Sequence, residues 1–296
     1  MLRTTRGVVS GSAALLMVSD LDFEPGDLDI YVPASQDQTA LALADKRLGF
    51  ELRRSSARTY SNNKDIKRVH LLTKGRKKLN IITTKGENAV AAIFQFHSTV
   101  VMNMLTPSGL YCAYPTLTLE QRGVANLPAL LKDASASSKA RECYEKYRGR
   151  GIQIVNDVTK IPRFTHHDCF TAAECPLTTR NTLDGKGLYV EIFQQETHER
   201  ERQEADEYIT VWMVGGPMCA RGTTYCDGFT RSIRTMSISV SSQYLPPRLE
   251  YFAVTHHPQR RITCSQNARY DGGLNGTARI RSRDRALHRT RIQIPA

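Results

Sequence analysis

The sequence predicts an α/β fold: a mixed sheet with flanking helices, followed by a helical and strand-rich accessory region. Three observations carry this reading. Between residues 7 and 98, short apolar strands alternate with helical segments, the mark of an α/β layer. Between 99 and 150 the character changes, with Pro107-Ser108-Gly109 and Tyr114-Pro115 punctuating the chain. From 152 to about 256 the pattern becomes strand-rich. The predicted organisation is therefore an α/β domain over 1–98, a helical then β-rich region over 99–257, and a basic tail over 258–296. The tail has almost no apolar content before its last residues, so it is expected to be poorly ordered.

The elements follow in order. Val8-Val9 reads as a strand end, and Ser12 to Val18 as a short helix. Asp27 to Val32 reads as a strand because Leu28, Ile30 and Val32 alternate with polar positions after the Pro25-Gly26 turn. Leu41, Leu43, Ala44 and Leu48 cover one broad face, which predicts a helix over 39–48. Ile66 to Thr73 and Lys78 to Thr84 flank Lys74-Gly75-Arg76-Lys77 as a hairpin. Glu87 to His97 reads as a largely buried helix, and 127–147 as a polar helix that packs or forms a lid, its start anchored by Leu127, Leu130 and Leu131. Gly187 to Phe193 and Tyr208 to Val214 read as strands joined by a charged hairpin insertion, QQETHERERQEADE. SIRTMSISVSS and RLEYFAVTH add two further strands.

A hydrophobic content of 40% over 296 residues supports a real core. No apolar run is longer than Ala13 to Val18, far too short to span a bilayer, and the N-terminus lacks the form of a signal peptide. The expectation is an intracellular protein, cytoplasmic or nuclear, without a membrane partner. Seven scattered cysteines, an odd number, are expected to be reduced thiols. The formal charge of +12 favours polyanionic partners such as nucleic acid or nucleotide phosphates. It is concentrated between Arg53 and Lys78 and in the nine arginines after Pro258.

The chemically informative stretch is SGSAALLMVSDLDFEPGDLDIYV, residues 10 to 32, which holds Asp-Leu-Asp twice. Asp20 and Asp22 run into a Pro-Gly turn and belong to a helix end or loop. Asp27 and Asp29 lie on the strand, and a period of two sends both carboxylates from one face. Upstream, Val8-Val9-Ser10-Gly11-Ser12 is a strand entering a small-residue turn that opens a helix. Glycine there lets backbone approach a phosphate, and the serine hydroxyl with helix N-terminal amides can donate to it.

Gly11, Ser12, Asp27 and Asp29 in this arrangement resemble the polymerase-beta nucleotidyltransferase superfamily. The likeness covers about the first hundred residues and is nearest to fungal proteins with a GS-A-L … DLD-YV pattern; FHSTVVMN (96–103) and CPLTTR (175–180) also look similar to that group. The resemblance implies a nucleotidyltransferase-like mixed sheet and a nucleoside triphosphate partner. It further implies Mg2+ or Mn2+ held by Asp27 and Asp29, which would be the catalytic carboxylates, with the triphosphate gripped by Gly11 and Ser12. Members of the superfamily usually supply a third carboxylate from a later strand. Here the matching strand is Lys78-Leu79-Asn80-Ile81-Ile82, and Asn80 stands in the third-ligand position. An amide adds no negative charge and takes no proton, so a weak or inactive transferase is expected. Glu87 is a poorly placed substitute.

A second constellation is HHDCFTAAEC, where His166, His167, Cys169 and Cys175, with Cys219 and Cys226 downstream, could form a zinc site or simply be buried thiols beside a loop histidine pair. His70 and His97 sit in apolar elements and read as packing or hydrogen-bonding residues, and Trp212 reads as core. Three function classes follow: a nucleotidyltransferase-fold protein, active or degenerate; a nucleic-acid-binding module using the basic stretches; and a non-catalytic protein-interaction domain.

Overall fold

The computed structural model describes residues 1–57, 63–126, 131–132, 135–136, 138–192, 208–215 and 236–239, and all of these fall in one compact unit, Met1–Val254. The helices are α1 (Leu2–Thr5), α2 (Gly11–Val18), α3 (Asp37–Lys46), α4 (Pro115–Leu119) and α5 (Ser138–Arg148). The first strands are β1 (Val8–Ser10), β2 (Leu28–Val32), β3 (Glu51–Ser56), β4 (Ile66–Lys74), β5 (Lys77–Thr84), β6 (Asn103–Leu105) and β7 (Gly109–Cys112). They are followed by β8 (Arg122–Val124), β9 (Leu131–Lys132), β10 (Ser135–Ala136), β11 (Gln153–Val155), β12 (Arg180–Asn181), β13 (Leu188–Glu191), β14 (Tyr208–Trp212) and β15 (Met236–Ser239).

Eight strands form one large mixed sheet in the order β13-β7-β6-β1-β2-β5-β4-β3. Within it, β2 and β5 run parallel and every other neighbouring pair runs antiparallel. The β4–β5 hairpin turns at Gly75, whose φ of +58° suits a residue without a side chain. A three-stranded sheet, β12-β14-β15, and the parallel pair β8–β11 complete the larger pairings. The α/β class is thus realised with a large mixed sheet and few helices.

Strand alternation divides the core between the two faces of the sheet. Val9, Ile30, Val32, Leu72, Leu79 and Ile81 pack on one side with Ala40 and Ala44 of α3. Val8, Tyr31, Ile66 and Ile82 point the other way, onto Ala92, Ile93, Phe94, Leu117, Val155 and Trp212. Trp212 lies flat on Phe94 with ring centroids 3.8 Å apart, and its indole N–H donates to the Tyr114 hydroxyl at 2.9 Å. It is a core residue, as its apolar neighbours in the sequence predict.

Several local expectations are corrected. Residues 87–97 do not form an α-helix: only Ile93–Gln95 closes a 3-10 turn, held by i→i−3 bonds such as Ile93 N–H to Val90 O at 2.9 Å. The Asn88 side chain accepts the Val90 amide at 2.9 Å, offering the backbone a turn in place of a helical start. Of the helix expected over 127–147, the described residues show Ser138–Arg148, while Leu131–Lys132 and Ser135–Ala136 pair as short strands; Leu127 and Leu130 lie outside the described residues. The strands at 188–191 and 208–212 belong to different sheets, so they are not the two arms of one hairpin. Their charged connection lies outside the described residues, as do RLEYFAVTH and the arginine-rich tail.

One strand, β3, had no clear sequence signal. β3 is an exposed edge strand, ELRRSS, held by backbone pairing to β4. Pro107-Ser108-Gly109 lies at the tip of the β6–β7 hairpin, where the Thr106 hydroxyl accepts the Gly109 amide at 3.0 Å. Among the described residues, no helix is long and apolar enough to cross a membrane.

Candidate functional site

The site lies where β1, β2 and β5 run side by side. Ser10 is registered opposite Asp29 across the β1–β2 pair, and Asp29 opposite Asn80 across β2–β5, so the three residues form one row. Asp27 lies on the bend just before β2, which begins at Leu28, rather than on the strand itself. Asn80 Nδ2 donates to Asp27 Oδ2 at 2.9 Å and to Asp29 Oδ1 at 2.8 Å, tying the pair together. Asn80 is therefore in direct contact with both aspartates.

The turn between β1 and α2 closes over this row. Gly11 adopts φ +71°, and a Cβ built there would stand 2.7 Å from Asp29 Oδ2. Only glycine lets the carboxylate lie against this turn without a clash. Ser10 occupies the N-cap position of α2, yet its hydroxyl donates away from the helix to Asn103 O at 2.6 Å and makes no cap bond. The first amides of α2 are therefore not capped by that side chain, a geometry suited to an anion. Ser12, in the first turn, is buried.

FHSTVVMN builds the support behind this turn. Asn103 follows a 3-10 turn at Thr99–Val101, donates through Nδ2 to Val100 O at 2.8 Å and offers its carbonyl to Ser10. Thr99 Oγ1 accepts the Val124 amide at 2.9 Å, linking the segment to β8.

Burial dominates the electrostatics. Asp29 is pushed up to about 6 by burial and by the charge of Asp27, against smaller downward pulls from the Asn80 hydrogen bond and the Lys146 ammonium. A cation placed here would relieve both of the raising effects. His97 is held down at about 4, first by burial and then by Lys146, so its imidazole is neutral at physiological pH. It packs on Tyr147 with centroids 5.3 Å apart.

Lys146 and Tyr147 belong to α5, in the segment expected to pack or form a lid. Tyr147 is buried with Leu15, Val101 and Ile152, and Tyr144 donates to Ile154 O at 2.6 Å, which seats the helix. Just beyond, the Arg150 guanidinium stacks over Phe23 at 3.8 Å and draws the segment before Asp27 toward the end of α5. A lysine in a polar helix about 120 residues from the aspartates carries no sequence signal of its proximity.

The other singled-out residues lie elsewhere. Glu87 accepts from Ser35 and pairs with Arg6 at 3.0 Å, contacts that involve neither aspartate. His70 is buried, contacting Asp37 at 2.8 Å and Ser55 at 2.7 Å, a hydrogen-bonding role as expected. Burial would raise the Asp37 carboxyl, but hydrogen bonds from Thr83 and His70 and the charges of His70 and Arg68 hold it below the usual range. In the basic stretch, Arg53 pairs with Glu51 at 2.8 Å, Arg68 with Asp37 at 3.8 Å, and Lys74 donates to Leu48 O at 2.8 Å. Such pairing reduces the positive field that the composition alone implies. His167, Cys169 and Cys175 come together, His166 is exposed, and Cys219 and Cys226 lie outside the described residues.

Comparisons of the chain with protein-family models, with curated proteins and with solved structures find no match.

Proposed function

We propose that this is a nucleotidyltransferase-fold protein that binds a nucleoside triphosphate together with Mg2+ or Mn2+ and is a weak or inactive transferase. The observation that supports it most is the convergence of Asp27, Asp29 and Asn80 with the Gly11 turn: Asn80 bridges the carboxylates at 2.8 and 2.9 Å, and Asp29 Oδ2 lies under the turn.

The donor set fits one hard cation. Two carboxylates and an amide offer oxygen ligands of the kind magnesium prefers, and the two negative charges match one divalent ion. The Asn80 amide now points its nitrogen at the carboxylates; rotated by half a turn, it would present Oδ1 instead. A bound cation would neutralise phosphate charge and orient the triphosphate. Gly11, Ser12 and the first amides of α2 would hold phosphate oxygens, and Lys146 would add a positive charge beside Asp29.

Activation of an attacking hydroxyl is the weak part of the arrangement. Asn80 cannot accept a proton or anchor a second cation, so binding is expected to exceed turnover. The test is titration of a fluorescent ATP or CTP analogue with and without magnesium. Magnesium-dependent binding that disappears in both Asp27→Ala and Asp29→Ala supports the reading. Binding indifferent to magnesium and to both substitutions would overturn it.

A further inference from the structure

A second cluster lies away from the aspartates, in the compact loop between residues 164 and 184, and it stands apart from the nucleotide reading. His167 Nδ1 lies 3.0 Å from Phe164 O. A carbonyl can only accept, so Nδ1 carries the proton and the neutral ring presents the Nε2 lone pair on its other side. That Nε2 faces Cys169 Sγ at 3.7 Å. Cys175 Sγ joins them, all three potential ligand atoms lying within 4.8 Å of one another.

The local backbone explains the convergence. Phe170 takes a left-handed conformation, φ +66°, immediately after Cys169 and reverses the chain. Asp168 O then accepts the Ala172 amide at 2.9 Å, and Ala172 O accepts the Cys175 amide at 3.2 Å and the Thr178 hydroxyl at 2.6 Å. This winding returns Cys175 to Cys169. Both cysteines are buried thiols and cluster with Leu177, with Ala172 packed against them. So small a satellite core holds this loop with little hydrophobic area.

We propose that His167 Nε2, Cys169 Sγ and Cys175 Sγ bind a zinc ion that staples this loop. Three arguments meet here. The ligand types are those of zinc sites, one imidazole and two thiolates. With Zn–N and Zn–S bonds of about 2.0 and 2.3 Å, a tetrahedral site has an N···S edge of roughly 3.5 Å, close to the observed spacing. The Phe164 carbonyl is the outer partner that a zinc-bound histidine needs to fix its tautomer and ring orientation. On binding, each thiol releases its proton to solvent and the two thiolates neutralise the dication, so the loop takes up no net charge.

The effect on the fold would be local. Arg180, fully buried, donates to Ala173 O at 3.2 Å inside the loop and to Ala113 O at 3.1 Å just past β7. A stapled loop would keep this guanidinium seated against the end of the large sheet.

The experiment uses the full chain, purified under reducing conditions and passed over a chelating resin. Metal analysis should find about one zinc per chain. After zinc removal, cobalt titration should develop a thiolate-to-cobalt charge-transfer band that saturates at about one equivalent. The band should persist in His166→Ala and fall at least about tenfold in Cys169→Ser and Cys175→Ser, with circular dichroism checking that each variant is folded. Wild-type protein that retains no zinc and gives no cobalt band overturns the proposal whether or not the variants fold. A band unchanged in both cysteine variants, or lost in His166→Ala and kept in His167→Ala, overturns the assignment of these ligands.

Discussion

Asn80 sits beside Asp29 at the same register of two parallel strands, its amide nitrogen 2.8 Å from Asp29 Oδ1. The same nitrogen also reaches Asp27, so one neutral residue holds together two carboxylates that would otherwise repel. Asn80→Asp replaces that clamp with a third acid. In the absence of metal the variant should lose about 2–4 kcal/mol, through lost charge-assisted hydrogen bonds and added repulsion. Magnesium or manganese should restore much of the loss and bind more tightly than to the parent. Melting curves and calorimetric titration with each metal check this, and instability with no gain in affinity would mean that Asn80 is not at a ligand position.

Gly11→Ala and Gly75→Ala form a matched pair. Both glycines have positive φ, +71° and +58°, but a Cβ at Gly75 meets open space while one at Gly11 meets Asp29 Oδ2 at 2.7 Å. Gly75→Ala should cost about 1 kcal/mol of backbone strain. Gly11→Ala should cost measurably more and should also abolish magnesium-dependent nucleotide binding, whereas Gly75→Ala should leave binding intact. Denaturant melts and the fluorescent nucleotide titration separate the two effects.

The pH dependence of metal binding should report Asp29. Its folded pKa, about 6, lies above the ordinary carboxylate value, so the fold disfavours the ionised form. That destabilisation is complete above pH 6 and is relieved as pH falls toward about 4. Metal needs the ionised form, so magnesium affinity should climb as pH rises through about 6, and Lys146→Ala should move the climb to higher pH because Lys146 lowers the Asp29 pKa. His97, depressed to about 4, opposes the stability trend: its contribution is present above about 6.5 and lost as pH falls. Stability is therefore compared between the parent and Asp29→Asn across the pH range, so that the difference isolates Asp29.

Trp212→Ala should be among the most damaging single changes, at about 3–5 kcal/mol. It removes the ring stacked on Phe94 at 3.8 Å and leaves the buried Tyr114 hydroxyl without the indole donor. Trp212→Phe should keep most of the packing and cost about 1–2 kcal/mol. Chemical denaturation midpoints of the two variants give the ordering, and equal losses would show that the hydrogen bond, not the ring volume, carries the effect.

Local chemistry made part of this molecule readable from the sequence. The Gly75 hairpin, the short helix after Gly11 and the strand carrying Asp29 are each specified by neighbours a few residues away: turn glycines, alternating apolar positions and a small-residue helix start. The period of a strand aims Asp29, whereas Asp27 lies on the bend before β2; Asn80 is the single polar side chain in an apolar run. Glu87 to His97 departs from the expected helix because an almost continuous apolar run carries no polar face to set its period, and the Asn88 side chain captures an amide that a helix needs.

Tertiary structure alone decided what lies around those aspartates. That Asn80 is registered beside Asp29, and that Lys146 and Tyr147 reach the same place from α5, are consequences of long-range pairing and core packing, which have no local signature. The same holds for Cys169 and Cys175. Their spacing in the sequence matches no familiar zinc motif, and only the left-handed Phe170 and the turn bonds that follow bring their sulfurs together beside a histidine whose tautomer is set by a backbone carbonyl. Sequence determines which chemical groups are present and the periodicity that aims them; the distance between groups far apart in the chain is set by the global packing that orders both.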